Sequence, residues 1–111
     1  MSDAAYSLMF VHAVAGLATR LAVDAIAIYA VRYDYPAFGG WELVAGRRLA
    51  RVRVIWDGKK GVLQAQAAVL GAPTDRPQWQ AVRELDFSKK RGNHAEIFGA
   101  AYAAIREHSG V

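Results

Sequence analysis

The chain has no cysteine. Disulfides, thiolate nucleophiles and cysteine-bound metals are therefore excluded. A reducing compartment is compatible with that, so the expectation is a cytoplasmic protein. Proline occurs only three times and methionine twice, and no proline-rich or low-complexity tract interrupts the chain. The three histidines, His12, His94 and His108, have neither the i,i+4 arrangement nor the cysteine or carboxylate spacing of a typical metal site, so no metal and no cofactor are expected. Charge is absent from residues 4–19, which contain no Asp, Glu, Lys or Arg. That run is shorter than the roughly 20 apolar residues that cross a bilayer. Ser7, His12 and Thr19 interrupt it, and Asp3 stands where a secretory leader has positive charge. It reads as a core helix, with no membrane partner.

Catalytic signatures are missing as well. Gly39-Gly40 and Gly58-Lys59-Lys60-Gly61 match neither the dinucleotide-binding nor the P-loop pattern. No serine sits in a nucleophile elbow. Asp24, Asp34, Asp57 and Asp86 show no spacing that pairs an acid with a base. No catalytic residue is assigned; an enzyme here would need groups that converge only in the fold.

What is present describes one domain spanning residues 1–111, a length that buries roughly 60–70% of the unfolded surface. The hydrophobic fraction of 54% owes much to alanine, which packs closely but buries less area than leucine. The first segment reads as a helix ending near Val23, with His12 partly buried and Arg20 facing Asp24 one turn on. Residues 25–35 fit either helix or strand. The cluster of aromatic and β-branched residues favours a strand from Ile26 to Tyr35, with Tyr29, Val31, Tyr33 and Tyr35 on one face. Residues 79–87 are also ambiguous and read as a strand carrying Trp79, Leu85 and Phe87 on one face. The last segment is a helix, capped by Asn93 with Glu96 three residues on, and lined by Ile97, Phe98, Ala101, Ala104 and Ile105.

The centre predicts a hairpin. Val52, Val54 and Trp56 alternate with Arg51, Arg53 and Ile55, and Leu63, Ala65 and Ala67 alternate with Gln64 and Gln66. Both apolar sets share a face only if Trp56 pairs with Leu63, Val54 with Ala65 and Val52 with Ala67. Gly58-Lys59-Lys60-Gly61 is then a four-residue loop. The expected fold is a two-layer α+β domain, with N- and C-terminal helices packed on a three- or four-stranded antiparallel sheet.

Charge is distributed unevenly. Nine of the fourteen basic residues fall in two runs: Arg47, Arg48, Arg51, Arg53, Lys59 and Lys60, then Lys89, Lys90 and Arg91. Asp57 is the single acid among residues 47–60, and residues 88–91 have none. Such asymmetry points to anionic partners. A two-stranded ribbon fits a duplex groove, and Arg47, Arg51 and Arg53 are expected on its outer face with Lys59 and Lys60 at the tip. The leading expectation is a small non-catalytic domain that binds nucleic acid through this hairpin, with Lys89, Lys90 and Arg91 as a second phosphate contact. Outward charge also serves merely to keep a strand solvated. The alternative is a homodimeric ligand- or protein-binding domain that uses the aromatic-rich region of Tyr29, Tyr33, Tyr35, Phe38 and Trp41.

Overall fold

A computed structural model of the chain describes residues 3–34, 39–89 and 94–110. The elements follow in the order α1 (Asp3–Ala22), β1 (Ala27–Asp34), β2 (Gly40–Arg47), β3 (Ala50–Asp57), β4 (Val62–Val69), β5 (Gln80–Asp86) and α2 (His94–His108). The strands form one antiparallel meander in sequence order. Both helices pack on the same face, giving the two-layer α+β architecture, with five strands where three or four were expected. The additional strand is β2. Its alternation of Trp41, Leu43 and Ala45 with Glu42, Val44 and Gly46 is regular, but glycines at both ends disguise it.

The end of α1 is fixed by backbone bonds. Ile26 N donates to Leu21 O at 3.1 Å and Ala25 N to Ala22 O at 3.0 Å, while Ala25 takes φ 58°. This is a Schellman ending, with the buried Leu21 and Ile26 as its hydrophobic pair. Ala25 occupies the left-handed position that glycine usually fills, which conceals the stop in the sequence.

The β3–β4 hairpin has the expected register: Trp56 with Leu63, Val54 with Ala65 and Val52 with Ala67. Asp57 organises the loop. Its Oδ1 accepts from the backbone N–H groups of Lys59 and Lys60, both at 3.0 Å, and its carbonyl accepts from Gly61 N at 2.8 Å. Gly61 supplies the positive φ of 68° that closes the turn.

Alternate residues of β2, β3 and β4 meet the two helices in the core. Leu43, Val52 and Val54 are fully buried there, together with Leu21 of α1 and Ile105 of α2. Aromatic rings join the layers: Phe10 stacks on Tyr33 with centroids 4.4 Å apart, and Trp41 on Phe98 at 4.8 Å. Arg106 Nε reaches Asp24 Oδ2 at 3.0 Å, and the Arg20 guanidinium lies 3.8 Å from the Tyr102 ring centroid. The expected Arg20–Asp24 contact is replaced by these two links, because α2 offers each residue a partner across the helix pair. His12, expected to be partly buried, is exposed on α1.

Each edge strand contains a bulge. Tyr29 is the extra residue in β1, between Ile28 opposite Ala45 and Ala30 opposite Val44. Val82 is the extra residue in β5, between Arg83 opposite Ala65 and Ala81 opposite Gln66. An extra residue reverses the alternation. Tyr29 therefore lies on the outer face while Tyr33 stays on the helix side, and Trp79 lies on the outer face while Leu85 and Phe87 pack inward. Neither aromatic set shares a face as the alternation predicted.

Candidate nucleic-acid interface

The outer sheet face carries Arg51 and Arg53, and both are engaged within the chain. Arg51 is 8% exposed. Its Nη1 donates to Arg48 O at 2.6 Å and to Ala50 O at 2.9 Å, and its guanidinium lies 4.1 Å from the Tyr29 ring centroid. Gly46 makes this path possible. A Cβ there would stand 3.1 Å from Arg51 Cδ and 2.1 Å from the carbonyl oxygen of Ala50. Arg53 lies over Trp79 at 4.7 Å, donates through Nε to Gln66 Oε1 at 2.8 Å and through Nη2 to the same oxygen, and approaches Glu42 at 3.5 Å. Glu42 also receives Arg32 at 3.2 Å. A polar ladder of Arg32, Glu42, Arg53 and Gln66 thus crosses β1 to β4 with Trp79 stacked on Arg53, while Tyr29 stacks on the neighbouring Arg51.

Arg47 is not on this face. The chain reverses at Arg48-Leu49, where Arg48 adopts φ 56°, so Arg47 closes β2 opposite Ala50. It points to the helix side, where its Nη1 donates to Gly110 O at 3.2 Å. The expected grouping of Arg47, Arg51 and Arg53 fails because Arg47 belongs to the preceding strand.

At the other end of the strands the β3–β4 loop carrying Lys59 and Lys60 meets the segment of Ser88 and Lys89 that follows β5. Phe87 N donates to Gly61 O at 2.7 Å, and a Cβ on Gly61 would stand 3.1 Å from Ser88 Cα. The loop with Lys59 and Lys60 therefore lies against the loop with Lys89, and all three lysines are exposed. Lys90 and Arg91 fall outside the described residues. Asp86 organises the second loop as Asp57 does the first. Its Oδ1 accepts from Ser88 N at 2.8 Å. The Ser88 hydroxyl, the Ser88 N–H and the nearby Lys89 charge hold its carboxyl below the usual carboxylate range. Trp56 and Phe87, half-buried with ring centroids 6.0 Å apart, underlie this end of the sheet.

The aromatic-rich region does not form one surface among the described residues. Trp41 is 4% exposed and sits in the core, Tyr33 stacks on Phe10, and Tyr29 covers Arg51 on the opposite side of the sheet. Tyr35 and Phe38 fall outside the described residues. The surface that the composition did not reveal is on α1, where Leu8 is 59% exposed and Val11 57%. Its signal was the same uncharged run that reads as a core helix. No protein-family model matches the chain, and neither a curated protein nor a solved structure is significantly similar to it.

Proposed function

We propose that this is a non-catalytic binding domain that engages nucleic acid through the end of the sheet carrying Lys59, Lys60 and Lys89. The observation that carries the reading is the contact of Gly61 with Ser88, which sets the loop of Lys59 and Lys60 beside Lys89, distant in sequence. The carboxylates at this end, Asp57 and Asp86, accept backbone N–H groups of the loops themselves, which fixes the loops that bear the lysines. Lysine suits such a role as a mobile point charge facing phosphates, without base readout. Arg51 and Arg53 act differently: their donors serve the sheet, so they position the scaffold rather than meet phosphate.

Salt dependence tests this. Three phosphate contacts on duplex DNA give a slope of log affinity against log salt near −2.7, about 0.9 per contact. Replacing Lys59, Lys60 and Lys89 together by Gln should abolish most of that slope and leave the melting transition in place. Arg83→Gln, which alters only the exposed pair with Glu107, should leave binding unchanged. Absence of binding to duplex DNA, single-stranded DNA and RNA at low salt, or binding indifferent to the triple replacement, overturns the proposal.

A further inference from the structure

We infer that the groove between α1 and α2 is a binding site for a small apolar carboxylate, a molecule with one anionic head and a short hydrocarbon tail. The inference is independent of nucleic-acid binding, since none of the residues lining the groove belongs to the lysine-bearing loops. The two helices run side by side in the same direction: Arg20 meets Tyr102, and one turn later Asp24 meets Arg106. Between Arg20 and His94 they leave an open groove of about 420 Å³. Small-molecule sites occupy roughly 300–1,000 Å³. Leu17 and Phe98, both buried, form its floor.

Two glycines create this space. Gly16 of α1 and Gly99 of α2 both line the groove. Glycine inside a helix lowers stability relative to alanine, so it normally answers a close contact or a positive φ. Neither condition holds here. A Cβ at either position would meet nothing within 4 Å, and neither residue is among the positive-φ glycines. The fold thus gives up helix stability at two positions for room that nothing else among the described residues fills. Such a break in local consistency is expected where a ligand is held.

Charge selects the occupant. No Asp or Glu lines the groove, and its titratable residues, Arg20 and His94, are both basic. Arg20 is held by its face, with the guanidinium 3.8 Å from the Tyr102 ring centroid, and it forms no ion pair among the described residues. Stacking leaves the N–H groups at the guanidinium edge directed sideways, where they can fork onto a carboxylate. The acid one turn along does not compete, because Asp24 Oδ2 accepts from Arg106 Nε at 3.0 Å. A carboxylate on Arg20 directs its tail over Leu17 and Phe98, along the two glycines, toward the His94 ring. That ring stacks with Phe98 at 6.4 Å and closes the far end. Eight residues of α2 separate His94 from Tyr102, so the groove is roughly 12 Å long. Its length restricts the tail to a short one.

Titration of the isotope-labelled protein with octanoate, followed by amide chemical shifts, tests the site. Octanoate should bind saturably with a Kd of about a millimolar, the scale for so small a ligand in an open site. The amides of Gly16, Leu17, Phe98 and Gly99 should move. Octanol, the same chain without the charge, should bind about tenfold more weakly, the scale of a lost hydrogen bond to a charged group. Arg20→Gln should weaken octanoate by the same factor and bring it level with octanol. Gly99→Leu fills the groove and should abolish binding of both. Helicity and melting temperature should be kept in that variant, because the added Cβ enters open space and the glycine penalty is removed. Gly16→Leu should do the same from the other helix. Octanoate that moves none of these amides up to about 10 mM, that binds no better than octanol, or that ignores Arg20→Gln and both leucine replacements overturns the inference. So does movement of the same amides with protein concentration alone, which would give the groove to a second copy of the chain.

Discussion

At the scale of single residues, Arg51 shows how a charge on an outward-facing strand position can belong to the interior. Its position opposite Ala68 on the outer face was legible in the alternation. Its burial was not, because it depends on the space left by Gly46 and on the ring of Tyr29 from another strand. Arg51→Gln is expected to lower stability by roughly 1–3 kcal/mol, the scale of lost hydrogen bonds to a charged group, as urea denaturation will show. Arg51→Lys should not restore it, since a lysine cannot stack as a planar group. Gly46→Ala should cost roughly 1–3 kcal/mol by overpacking, because the added methyl meets backbone that cannot yield cheaply. Asp86 provides a pH probe. Its carboxyl is held down first by the Ser88 hydroxyl, so the folded state binds this proton more weakly than the unfolded chain does. The resulting stabilisation is complete above the ordinary carboxylate range and disappears as the pH falls through the lowered value. Ser88→Ala should raise the Asp86 titration midpoint toward the ordinary value in carbon-detected NMR; an unmoved midpoint would assign the effect elsewhere.

At the scale of elements, strand identity and pairing were legible where apolar residues alternate without interruption. The hairpin register follows from Val52, Val54 and Trp56 having to share a face with Leu63, Ala65 and Ala67. The bulges were not legible, because one extra residue leaves no compositional mark and shows itself only when a neighbouring strand fixes the count. Their consequence is specific: each turns an aromatic outward onto an arginine, Tyr29 onto Arg51 and Trp79 onto Arg53. They also occur on the two edge strands, where irregularity discourages pairing with another chain. Helix α1 ends through Ala25 in a left-handed conformation, which a side chain adopts at a cost of about 1–2 kcal/mol. Ala25→Gly should therefore stabilise the protein by up to about 1 kcal/mol after the greater freedom of glycine in the unfolded chain is offset. A calorimetric melt at unchanged helicity measures it.

At the scale of the whole molecule, the sheet is most secure at its centre. β2, β3 and β4 are paired on both sides, whereas β1 and β5 have one neighbour each and are largely exposed. Native-state hydrogen exchange should find the slowest amides in β2 to β4, with the edges opening at lower free energy; equal protection across all five strands would contradict this. The proposed nucleic-acid surface lies outside that centre. The lysines of the proposed nucleic-acid end are on loops, so their replacement should shift stability by no more than about 0.5 kcal/mol. Binding and folding can then be tested separately.

The sequence by itself determined the α+β class, the two terminal helices, the central hairpin with its register, and the concentration of basic charge in two runs. These depend on local periodicity and on neighbours a few residues away. Only the tertiary structure decided which cations face solvent, which aromatics fill the core, and that Gly61 meets Ser88. Those outcomes depend on where strands distant in sequence stop, bulge and turn, and an alternating pattern contains no term for a partner that it has not yet met.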